Sequence, residues 1–64
     1  MNTNSLKLNA IAHNAIRDHK AIDKRLNNKE MAAFLAPFRE QAKALGFSKL
    51  RLNAEIMLIR EGRI

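Results

Sequence analysis

Cysteine, valine, tryptophan and tyrosine are absent from this sequence, proline occurs once and glycine twice. Without cysteine there is no disulfide, no thiolate metal ligand and no cysteine nucleophile. The missing valine, tyrosine and tryptophan take away residues that favour strands, and the scarcity of proline and glycine takes away the usual chain breakers. Alanine, leucine and isoleucine supply 24 of the 64 residues. That composition predicts an all-α fold. Acids are also few: 12 lysines and arginines face 6 aspartates and glutamates, giving a net charge of +6 and a pI near 10.6. This balance excludes an acidic mimic of nucleic acid and creates a field that attracts nucleic acid, an anionic surface or an acidic protein. No run of 18 apolar residues is present, and no charged-then-apolar leader opens the chain, so a cytoplasmic protein without a membrane partner is expected.

Length sets the next bound. Residues 1–64 can form only one small domain. A chain of this size buries about 60% of its unfolded surface and is marginal alone. Disulfides being excluded, close helix packing or self-association must supply the rest, and a homodimer is expected.

Apolar spacing divides the chain into three segments. Asn2 and Thr3 are good helix caps, and Leu8, Ile11, Ala12, Ala15, His19, Ile22 and Leu26 then fall on one side of a helix predicted over 5–26. Asn27 and Glu30 stand at capping-box spacing. A second helix follows, its face made by Met31, Phe34, Leu35, Phe38, Ala42 and Leu45, with Gly46 placed as a left-handed terminator. Pro37 interrupts it without disturbing the apolar phase. An interior proline costs about 3 kcal/mol, so the helix is either kinked there or broken, with Pro37 starting a new one. Ser48 and Gly62 bracket a third helix over 49–61. Leu50, Leu52, Ala54, Ile56 and Leu58 also alternate at period two, so a C-terminal strand is the alternative. The fold expected is three helices with a kinked or broken second one.

The run Ala42-x-x-x-Gly46-Phe47-Ser48 resembles the centre of the helix-turn-helix DNA-binding superfamily, and the likeness extends over residues 37–60. That pattern packs a small residue between two helices and puts glycine in the turn four residues later. Leu45, Phe47 and Leu52 occupy its buried apolar places, while Gln41 and Glu55 stand where it has apolar residues. The resemblance implies a recognition helix entering the major groove, with Ser48, Lys49 and Asn53 near base edges and Arg51 nearer the backbone. DNA is then expected before RNA. The other reading of the same residues is an ordinary corner between packed helices, closed by a glycine cap.

Elsewhere, His13, Arg17, Lys20 and Lys24 line the side of the first helix opposite its apolar stripe, either as a phosphate-tracking strip or as a solvated face. His19 lies within that stripe, as a hydrogen-bonded core histidine or a dimer contact. His13 and His19 face different ways, so no metal or other cofactor is expected. The run at 31–38 exceeds what one helix face needs. Met31, Phe34 and Phe38, with Ile56 and Ile59, are therefore candidates for a dimer or partner surface. No glycine-rich phosphate loop or Ser/His/Asp spacing suggests an enzyme. The leading expectation is a small DNA-binding regulator. The alternative is a small phage-type regulator or inhibitor that docks on an acidic surface of a host protein or complex.

Overall fold

The structure, a computed structural model, describes residues 3–63 and contains three helices, α1 (Thr3–Ala21), α2 (Asn28–Ala44) and α3 (Lys49–Arg60). The fold is all-α, and no strand occurs among the described residues. The period-two pattern at 50–58 belongs to a helix because its local chemistry starts and stops one. The Ser48 hydroxyl accepts the Arg51 N–H at 3.2 Å, and the chain leaves α3 through Gly62 at φ +75°. Arg63 N–H returns to the Leu58 carbonyl at 2.9 Å and Gly62 N–H to that of Ile59 at 3.0 Å, satisfying two terminal acceptors.

The capping box on α2 forms in full. Asn27 Oδ1 accepts the Glu30 N–H at 2.8 Å, and Glu30 Oε1 accepts the Asn27 N–H at 3.2 Å. At the other end Gly46 takes φ +92°, Phe47 N–H bonds the Ala42 carbonyl at 3.0 Å, and Gly46 N–H bonds Lys43 at 2.9 Å. A Cβ on Gly46 would meet no atom within 4 Å, so only backbone conformation demands glycine there. Any L-residue would bear a cost of about 1–2 kcal/mol.

One boundary differs markedly from expectation. The first helix ends at Ala21 rather than Leu26, where Ile22 N–H turns back to the His19 carbonyl at 3.1 Å. Asn27 must be extended, at φ −77° and ψ 176°, to cap α2. A helix running to Leu26 would leave no residues in which the chain could reverse. Ile22 and Leu26 still lie half-buried beneath this 22–27 connector. Pro37, by contrast, does not break α2, which continues as one helix from Asn28 to Ala44. Pro37 has no N–H to offer the Ala33 carbonyl, but both residues are exposed, and water can take that carbonyl. The expected cap at Asn2 lies outside the described residues.

Side-chain contacts fix the helix directions. The Asn4 amide reaches the Leu45 carbonyl at 3.5 Å, and the His19 and Phe34 rings lie 5.7 Å apart, so α1 and α2 run antiparallel. Asn9 meets Glu55 and His19 meets Arg60, so α3 runs in the same sense as α1. Leu8, Ile11, Ala12 and Ala15 of α1 pack with Phe38 and Ala42 of α2 and with Leu52 of α3. Ala12 and Ala42 are fully buried, their small side chains allowing close approach; the bulky residues with no exposure are Leu8 and Leu52. The accessible surface is 4746 Å², whereas a folded monomer of this mass exposes about 4200 Å².

Glu30 also faces Lys24 Nζ, at 2.6 Å. The Lys24 ammonium, and then the Asn27 N–H, hold its carboxyl below the ordinary glutamate range. A carboxyl lowered in the folded state stabilises above its unfolded pKa, and that contribution disappears as pH falls through the lowered folded value. Urea midpoints followed from about pH 7 to about pH 2 should therefore show an acid-side loss that is smaller in Glu30→Gln. Superimposable profiles would remove Glu30 from the account.

Candidate nucleic-acid interface

The helix directions gather the start of α1, the end of α2 and the start of α3 at one end of the molecule, around the turn at Leu45–Ser48. Residues 3–10 and 41–51 supply Lys7, Lys43, Lys49 and Arg51 to this end and no aspartate or glutamate. Asp18, Asp23, Glu30 and Glu61 lie toward the opposite end, interspersed with Arg17, Lys20, Lys24, Arg25, Arg60 and Arg63. The charge is thus segregated along the molecule. The corner end is predominantly cationic, with Glu40 one turn before the end of α2 and Glu55 held by Arg51 and Asn9, and the far end mixes both signs. The N-terminal ends of α1 and α3, the positive ends of their helix dipoles, also lie on this side.

Ser48, Lys49, Arg51 and Asn53 are all exposed, but their side chains are not equally free. Lys49 has no ion-pair partner among the described residues. Ser48 Oγ already accepts the Arg51 N–H, leaving its own O–H to donate. Arg51 Nη2 lies 3.5 Å from Glu55 Oε1, so this guanidinium is partly engaged. Asn53 lies farther along α3, at the edge of a cavity between the helices. Between these polar groups, Leu50 is 71% exposed and Met57 54% exposed, giving α3 an outward face that is partly apolar.

Glu55 occupies the position where the resembling pattern has an apolar residue, and it is buried, 6% exposed. Its oxygens are met separately: Asn9 Nδ2 donates to Oε2 at 3.3 Å, and Arg51 approaches Oε1. The carboxylate therefore joins α3 to α1.

The basic strip on α1 is shorter than its spacing suggests. His13, Arg17 and Lys20 are exposed on the helix, but Lys24 lies beyond its end and is drawn to Glu30. Arg17 bonds Asp18 at 3.3 Å. The apolar run at 31–38 is divided: Phe38 is buried, Phe34 packs against the core with Ile56 and Ile59, Met31 lines the cavity, and Ala32, Ala33, Ala36 and Pro37 are exposed. Leu6, Leu50 and Met57 are the large apolar side chains left outside. Lys7 and Lys43 were not singled out by sequence reasoning. The signal for them is the position of each near a helix end that the turn brings to one side. No known family, curated protein or solved structure matches the chain.

Proposed function

We propose that this protein is a nucleic-acid-binding regulator that grips DNA with the corner end of the molecule. The observation that carries the reading is the cationic end formed by Lys7, Lys43 and Lys49, with Arg51 shared with Glu55. Phosphates would be met there by Lys7, Lys43 and Lys49, which form no ion pair among the described residues, while Ser48, Lys49 and Asn53 are exposed at the start of α3. A helix of this kind suits the B-form major groove, whereas the A-form RNA major groove is too narrow for it. Leu50 would lie among these groups, where an apolar side chain can meet a thymine methyl. The protein works as a homodimer in this reading, supported by its excess of exposed surface, and uses no cofactor or catalysis.

Fluorescence anisotropy with a mixed-sequence duplex at about 50 and about 200 mM salt tests the proposal. Affinity should fall by orders of magnitude between the two, because several phosphate contacts release counterions. Lys49→Ala should weaken binding and reduce the salt slope by about one. No binding at low salt, or an unchanged slope in Lys49→Ala, would overturn it. Arg51 is a poorer probe because its removal also disturbs Glu55.

A second reading is favoured by one observation, the exposure of Leu50 and Met57 a full heptad apart on α3. Such a stripe, with Lys49, Arg51 and Arg60 around it, suits an acidic helix of a protein partner. Leu50→Glu would abolish that contact, and pull-down against the same partner would report it.

A further inference from the structure

Toward the end of the molecule away from the corner, residues of all three helices line a half-open cavity of about 200 Å³. Ile16, Met31, Phe34 and Ile56 provide apolar walls, one or more from each helix. Ala15 is part of the reason the space exists, since α1 places a methyl where a larger residue would fill it. Three polar side chains converge on the same cavity: His19, Asn53 and Arg60. No aspartate or glutamate lines it.

Arg60 is the informative group. Its Nη2 lies 3.2 Å from His19 Nδ1. A guanidinium can only donate, so Nδ1 is the acceptor in this contact. The His19 ring is held in turn against Phe34. Arg60 thus has a neutral partner and no carboxylate partner among the described residues. A guanidinium offers five N–H groups in a planar fork, and a single contact leaves the fork largely available. An unneutralised fork beside an apolar hollow is complementary to a carboxylate on a hydrocarbon body. The size is also restrictive, because an apolar cavity of about 150 Å³ is known to hold benzene. A phenyl ring with a short tether fills this space.

We propose that this cavity binds a compact apolar carboxylate of the arylalkanoate class. Arg60 takes the carboxylate, Asn53 adds an amide contact, and the ring lies among Ile16, Phe34 and Ile56. The site lies toward the other end from the nucleic-acid surface and shares Asn53 with it, so variants at Arg60 are the ones that report on this site alone.

The test is a methyl-detected NMR titration of the full chain with 3-phenylpropanoate, with 3-phenylpropan-1-ol as the neutral counterpart. The acid should shift the methyls of Ile16, Met31 and Ile56 with a dissociation constant of about 1 mM, as expected for a ligand of this size. The alcohol should bind at least tenfold more weakly. Arg60→Gln, a change at an exposed residue, should reduce affinity for the acid by a similar factor, and Arg60→Lys should restore part of it. Silence at those methyls up to about 20 mM acid, some twentyfold above that constant, would overturn the proposal. So would equal affinity for acid and alcohol, or shifts centred on Leu50 and Met57.

Discussion

Leu52→Ala is expected to leave the protein without a cooperative urea transition at 25 °C. Leu52 has no exposed surface and is the α3 residue seated among Leu8, Ala12 and Ala42 in the core. Truncating a buried leucine costs about 2–5 kcal/mol, the lost transfer energy plus the cavity left behind. A core of this size rarely supplies more than about 3–5 kcal/mol in total. The two quantities are the same size, so one substitution removes most of the stability. Leu50→Ala, two residues away but 71% exposed, should move the midpoint by no more than about 0.5 kcal/mol. Far-UV circular dichroism against urea separates the two variants. Equal midpoints would mean that α3 does not pack through Leu52.

That contrast also shows what the sequence could and could not disclose. Leu50 and Leu52 look equivalent under a period-two pattern, and only a helix sends one to solvent and the other to the core. The choice between helix and strand was settled by local chemistry already visible in Ser48 and Gly62. Asn27 with Glu30, and Gly46 with the Lys43 carbonyl, were legible for the same reason: each acts within a few residues of itself. The end of α1 was not. Ile22 and Leu26 continue the apolar period, but the need to reverse direction before the Asn27 cap outweighs it. In the site, the exposure of Lys49 follows from its place on the helix. The engagement of Arg51 does not, because it depends on Glu55. Burial of Glu55 depends in turn on Asn9, 46 residues away along the chain. Phe38 was a candidate contact surface by composition and is core in the structure, since α2 turns that side toward α1 and α3.

Asn9→Ala should destabilise the protein, and adding Glu55→Leu should restore much of what was lost. Glu55 is buried, and each of its oxygens has a separate donor, Asn9 on α1 and Arg51 one turn earlier on α3. Removing the Asn9 amide strips one oxygen of its hydrogen bond in a place water does not readily reach. Leaving a buried acceptor unmet costs about 1–3 kcal/mol, and more when it is charged. Arg51 cannot compensate fully, because it lies at 3.5 Å and is itself about half exposed. Leucine at 55 removes the charge that needed those donors. Replacing a buried charged network by apolar side chains of similar volume is often neutral or stabilising. A double-mutant cycle should consequently give a non-additive result, the pair being less destabilised than the two single losses predict. Additive losses would show that Asn9 and Glu55 do not act on each other. The carboxylate's advantage, on this argument, is geometric rather than energetic. An apolar seam tolerates small sliding of α3 along α1, whereas two fixed hydrogen-bond partners do not, so Glu55 sets where the first turn of α3 presents Lys49. Glu55→Leu in the Asn9→Ala background should therefore recover stability while broadening the amide resonances of residues 48–53, a separation that a purely energetic role for the pair would not produce.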